Sequence, residues 1–269
     1  MAQFFKQTFR WLRRLLPVEY SYPAIDIQLP SHRSLHLVGS IHMGTQDMQP
    51  LPEQLLRRMQ KADALIVEAD ISGSESPFEM SGEFPPLAER LPEAQYLHVE
   101  KLCEELGVSM WTLNPLPSWQ VALMLQATQA QRLGLRGNYG IDYQLLQNAK
   151  QQSMPVIELE GPQEQFALLQ QLPDNGLGLL EDTLTHWHTN ARLLQTMISW
   201  WLDTKPVTAL DQLPNTFSSE LYDVLMNQRN LRWKQQLSDL PPGNYVVAVG
   251  ALHLYGEGNL PDLLADKKV

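Results

Sequence analysis

The sequence predicts an α/β protein: a central, largely parallel or mixed β-sheet flanked by helices, with a helical insertion between the last strands. Short apolar runs in "SLHLVGS", "ALIVEAD", "MPVIELEG" and "NYVVAVG" have the length of strands. Stretches with apolar residues at helical spacing lie between most of them, the alternation expected of parallel pairing. With 269 residues, 43% hydrophobic and 19% charged, the chain has the balance of an ordinary globule with a sizeable core.

Taken in order, "AIDIQLP", "SHR" and "SLHLVGS" predict a two-stranded hairpin ending near Gly39. A helix follows in "PLPEQLLRRMQKAD", its prolines placed at the entrance, and leads into the short strand "ALIVEAD" with Glu68 near its end. Residues 71–93 are rich in Ser, Gly, Glu and Pro and predict a long loop. Helices then follow in "LHVEKLCEELG", "SWQVALMLQATQAQRLG" and "GIDYQLLQNAKQQ", the first two stopped by Gly107 and Gly134. "MPVIELEG" predicts a buried strand ended by Glu158 and Glu160, and a second helical block occupies about 162–240. "NYVVAVGALHL" closes the sheet and "GNLPDLLADKK" predicts a last helix. The domain organisation is therefore an N-terminal helix over 1–18 and one domain over 19–269.

Charge excludes one class of partner. The formal net charge is −10, and no basic face marks the body of the chain, so nucleic-acid binding is not expected. The first eighteen residues are the exception, with Lys6, Arg10, Arg13, Arg14 and no acid. On a helical projection Phe5, Phe9, Leu12 and Leu16 share one face and Lys6, Arg10 and Arg13 the other. That pattern suits a helix lying in an anionic membrane interface, and equally one docked on its own domain. No cleavage-site pattern or membrane-length apolar run follows, so the expected location is cytoplasmic, with peripheral contact at the inner face of the membrane. One cysteine, Cys103, rules out an internal disulfide and any multi-cysteine zinc site. Its amphipathic helix makes it a small buried apolar group.

"LVGSIHMG" and "VAVGALHLYG" both set a histidine three residues after a glycine, behind a strand. In α/β sheets functional groups gather beyond the carboxyl ends of strands, where His42, Glu68, Glu158 or Glu160 and His253 all fall. Two imidazoles and a carboxylate form a common ligand set for a divalent metal ion, with manganese, cobalt and zinc all suited to it. Each glycine is expected to free the turn that aims the imidazole.

The two segments "GSIHMG" and "GALHLYGEGNLPDLL" resemble the TraB/GumN family, which includes the Tiki proteins. "ALIVEAD" with Glu68, "YGIDYQLLQNAKQQSMPVIELEG" with Asp142, and "NQRN" with Arg229 and Asn230 match in family order, so the resemblance spans about 34–264. It looks like a short bacterial member without the signal or anchor of many relatives. The resemblance implies an EreA/ChaN-like, Tiki-like fold and a divalent-metal-dependent hydrolase acting on a peptide or protein segment. It implies His42, His253 and Glu68 as metal ligands, with Glu68 alternatively the general base on metal-bound water. Arg229 and Asn230 would orient substrate or stabilise an oxyanion, and Asp142 would hold the free nitrogen of a ligand histidine. Two other readings stand beside it: a non-catalytic protein that captures a peptide or haem-like ligand, and a metal-dependent esterase.

Other candidates weigh less. His186 and His188 in "HWH" are two apart on a predicted helix and point to different faces. Trp200 and Trp201 in "SWW" read as core or a domain contact, with a grip on an apolar ligand beside a cleft as the alternative. If the amino-terminal helix is an interfacial anchor, deletion of residues 1–16 lowers binding to anionic liposomes in a sedimentation assay; unchanged binding would leave docking on the domain as its role.

Overall fold

The computed structural model describes residues 20–70, 84–203 and 213–265. The predicted helix over 1–18 and most of the predicted 71–93 loop lie outside the described residues. In the remainder of that loop a short helix, Leu87–Arg90, replaces the expected irregular chain.

Five strands form one mixed sheet: β1 Ala24–Leu29, β2 Arg33–Ser40, β3 Ala64–Val67, β4 Val156–Glu158 and β5 Gly243–Gly250. Their spatial order is β1-β2-β5-β3-β4. β1 runs antiparallel to β2, and every other pair is parallel. The hairpin turns through Ser31 and His32, both in the left-handed region at φ 62° and 59°. The central strand β5 is buried from Tyr245 to Val249, which is why it reads as a continuous apolar run rather than an alternating one. β4 departs from expectation. It is a three-residue edge strand with Ile157 and Glu158 exposed, because only β3 lies beside it.

The principal helices are α1 Glu53–Met59, α2 Glu93–Leu106, α3 Ser118–Arg132, α4 Ile141–Gln151, α5 Pro162–Gln170, α6 Leu177–Thr185, α7 Trp187–Leu202, α8 Gln228–Ser238, α9 Leu252–Tyr255 and α10 Leu260–Ala265. The helix expected to run unbroken through "HWH" is divided at His186, which leaves helical geometry at φ −103°, ψ 20°. A π-type turn, Asp223–Asn227, precedes α8. Among the described residues no helix is long and apolar enough to cross a membrane.

Strand side chains alternate between two apolar clusters. Val38, Leu65, Val67, Val246 and Ala248 pack with Leu55 of α1, Leu145 of α4 and Trp201 of α7. Leu35, Leu37, Ile66, Val247 and Val249 pack on the other face with Trp200, Trp233 and Leu260. Thus "SWW" does serve as core, its two tryptophans feeding opposite clusters. A third cluster binds α2, α3 and α6 and contains Cys103, whose thiol burial pushes up to about 11.

One polar group interrupts the first cluster. His36 Nδ1 meets Asp26 Oδ1 at 2.7 Å and its Nε2 meets the Tyr22 hydroxyl at 2.9 Å. The Tyr20 hydroxyl and Arg58 both donate to the other Asp26 oxygen. Burial alone would raise the Asp26 carboxyl, but bonds from His36 and Tyr20 and the neighbouring charges hold it below its ordinary 3.8. Its contribution to stability is therefore present above that value and lost as pH falls through the lower folded one. Asp26→Asn is expected to lower stability near neutrality and to flatten the acid limb of a stability-against-pH curve, followed by urea unfolding.

Candidate functional site

The carboxyl ends of four parallel strands meet on one edge of the sheet. β2 delivers His42, β5 delivers His253 at α9, β3 delivers Glu68, and β4 delivers Glu160. The repeated glycine–histidine spacing has a topological reason: β2 and β5 are neighbours, paired Gly39 with Val249 and Ser40 with Gly250. The glycines do not serve the expected turn freedom, since neither backbone is left-handed. A Cβ at Gly39 would meet Pro23 and Ala251 at 3.1 and 3.2 Å, so close approach favours glycine there; one at Gly250 would find ordinary contact, 3.4 Å from Glu68 Oε1.

His42 lies just beyond the end of β2, its side chain 66% exposed. Its Nδ1 bonds to a carboxylate oxygen of Asp142, which is itself nearly buried at the first turn of α4. The two segments are stapled together. Ile141 N–H donates to Ile41 O at 2.9 Å, and Gly44 and Arg136 exchange two backbone bonds. Gly140 lies so close that a Cβ would stand 2.3 Å from the His42 carbonyl oxygen. The neighbouring Asp142 carboxylate raises the His42 imidazole to about 9. Because the Asp142 carboxylate demands N–H at Nδ1, Nε2 is the atom His42 presents outward.

Glu68 is buried and spends both oxygens inside the protein. Oε1 accepts from Gly250 N–H at 2.6 Å; Oε2 accepts from Arg229 Nη2 at 2.6 Å and from Gln165 Nε2 at 3.2 Å. Burial opposes its charge, yet Arg229 and the two site histidines together with the Gly250 N–H hold it at about 2. Arg229 uses every donor it has. Nε and Nη2 both reach Glu160 at 2.9 Å, and Nη1 faces Leu225 O at 3.3 Å and His253 Nε2 at 3.4 Å. Its guanidinium also lies 4.6 Å over the ring of Trp233, which is fully buried. Although burial works against the cation, the two carboxylates raise the Arg229 pKa.

His253 is buried beside Trp233, ring centres 4.5 Å apart. Asn230 Nδ2 donates to Gly258 O at 3.0 Å, which turns its Oδ1 to His253 Nδ1 at 2.7 Å. The acceptor at Nδ1 sets the tautomer with N–H there, leaving the Nε2 lone pair toward Arg229. Burial lowers this imidazole to about 3. Arg229 and Asn230, expected to orient substrate, thus direct their polar atoms at Glu68, Glu160, His253 and backbone carbonyls.

All six expected residues are brought to one edge of the sheet, and Asp142 reaches the histidine nitrogen that was expected of it. Glu160, Gln165 and Trp233 complete the network. Trp233 was legible in "RNLRW", one helical turn after Arg229. The pair Glu158 and Glu160 separates by role: Glu160 is buried on Arg229, while Glu158 accepts from Asp70 N–H at 2.5 Å. Gln165 carried no signal.

The ligand set can now be tested against a metal. Anchoring both histidines through Nδ1 is the arrangement that offers Nε2 to a cation. However, the Arg229 guanidinium already stands against Glu68 and against His253 Nε2. Among the described residues no three His, Cys, Asp or Glu side chains converge to hold a metal ion. As arranged, the residues do not fit a cation shared by His42, Glu68 and His253.

A mixed sheet with paired glycine–histidine segments and a buried Glu–Arg pair at its carboxyl edge defines the class: the chain belongs to the TraB/PrgY/gumN family, whose model matches residues 26–269. It is 61% identical over 245 residues to the uncharacterised protein YbaP of Escherichia coli (strain K12), covering 91% of this chain and 93% of that protein. The YbaP protein of Shigella flexneri matches with the same identity and coverage.

Gly140→Ala tests the staple that holds the His42–Asp142 pair. The added methyl meets backbone, so a loss of about 1–3 kcal/mol in urea unfolding is expected.

Proposed function

We propose that the protein is a hydrolase that cleaves peptide bonds, with His42 and Asp142 as its acid–base pair. The observation that carries this is the outward Nε2 of an exposed imidazole whose other nitrogen is held by a nearly buried carboxylate. An oriented imidazole of this kind suits both halves of amide hydrolysis. In its neutral form Nε2 takes a proton from water as the oxygen adds to the carbonyl carbon. In its protonated form, which Asp142 favours, the same atom gives that proton to the leaving nitrogen as the carbon–nitrogen bond breaks.

The remaining residues form a fixed network at the same edge of the sheet. Gly250 and Arg229 hold Glu68, Glu160 holds Arg229, and Asn230 holds His253, so these groups are set before any substrate arrives. Such preorganisation favours catalysis, because little reorganisation remains to be made at the moment of reaction. The likeness to Tiki proteins adds the peptide bond as the bond to test first. No step in this scheme passes through a metal.

Digestion of a peptide library by the purified full chain, with mass-spectrometric readout, tests the reading. His42→Ala is expected to lower kcat/KM by about 10²- to 10⁴-fold, the range general acid–base catalysis supplies, with folding of the variant checked by circular dichroism because the nearly buried Asp142 carboxylate loses its partner. Turnover that survives His42→Ala, or a wild-type chain that cleaves neither peptides nor simple aryl esters, would falsify it.

A further inference from the structure

We propose that Arg229 is the resident cation of this site, standing in the place that the ligand pattern assigns to a divalent metal. The inference is independent of which bond the protein cleaves. Its ground is the position of one guanidinium between the two buried donors, Glu68 Oε2 at 2.6 Å and His253 Nε2 at 3.4 Å. A metal ion bound to both atoms would have to share that space with a positive group, and like charges in a poorly solvated recess repel strongly.

Arg229 is not free to withdraw. Glu160 grips it through two nitrogens, the Leu225 carbonyl accepts from a third, and the fully buried Trp233 lies under its plane. A planar fork held on several sides is preorganised, unlike a surface arginine that swings aside when a cation arrives. Charge is already balanced: the Glu68 and Glu160 carboxylates face the guanidinia of Arg229 and Arg232. The Asn230 amide completes the arrangement, because the tautomer it sets gives His253 a lone pair that receives an Arg229 N–H rather than waiting for a ligand. Arg229 is thus a positioning residue: it fixes Glu68 and His253 and itself touches no reacting atom.

The test uses the full chain without a histidine tag. Wild type, Arg229→Gln and the double variant Arg229→Ala/Glu160→Gln are incubated with manganese, cobalt or zinc, freed of unbound ion, and taken to elemental analysis and thermal unfolding. The double variant removes one of the two carboxylates that loss of the guanidinium would strand. Wild type is expected to retain far less than one equivalent of any metal and to keep its Tm in each. A folded Arg229 variant is expected to take up a stoichiometric ion, to gain Tm with it, and to lose both effects when His253→Ala is added. Stoichiometric metal on wild type that His42→Ala or His253→Ala removes would overturn the proposal, as would folded Arg229 variants that bind none. The wild-type measurement decides the first point even if both variants unfold.

Discussion

The interaction on which the rest of this edge of the molecule depends is the Glu68–Arg229–Glu160 ion network. Burying a charge is costly, and the cost is tolerable only when each group finds a partner and its remaining hydrogen bonds are met. Here the side chains of Glu68, Arg229 and Glu160 are 10%, 13% and 3% exposed, and every Arg229 donor has an acceptor. Removing one member of a buried pair typically costs about 3–5 kcal/mol, because the other is stranded. That penalty locks three elements together: the end of β3, the end of β4, and α8.

The sheet order explains how residues so distant in the chain meet. β5, the last strand, inserts between β2 and β3, the second and third. His253 is thereby set between His42 on one side and Glu68 on the other, each just beyond a strand end. Helix α8 comes immediately before β5 in sequence, and it returns Arg229 and Asn230 to the same place from above. Its Trp233 lies in the apolar cluster under the sheet, so the helix carrying the site's charge is anchored by the core. A polar network resting on a packed apolar layer has few ways to relax, which is the condition for fixed geometry.

The His42–Asp142 pair is built differently. It rests on backbone bonds between the segment after β2 and the entrance of α4, and on two glycines, 44 and 140, that let those backbones touch. The His42 ring therefore remains exposed while the Arg229 network is nearly buried. The site joins an accessible imidazole to a buried ionic network, and these two parts answer to different elements of the fold.

Much of this was legible in the residues. Apolar runs located the buried strands β2, β3 and β5, because burial leaves a compositional mark, alternation located β1, and the stops at Gly107 and Gly134 ended their helices as expected. The six candidate residues were legible as well, since strand ends and repeated motifs are local features. What was missed depends on neighbours. Nothing in "MPVIELEG" says that β4 has a strand on one side only, and nothing in "HWH" says that the helix breaks at His186. Nor could spacing tell that Gly39 serves close packing rather than turning. The sequence by itself determined the elements and the six candidate groups at their ends. The tertiary structure alone decided that a guanidinium rather than open space lies between Glu68 and His253, because hydrogen-bond partners distant in the chain, 161 residues apart for Arg229 and Glu68, are chosen by packing and leave no periodic trace.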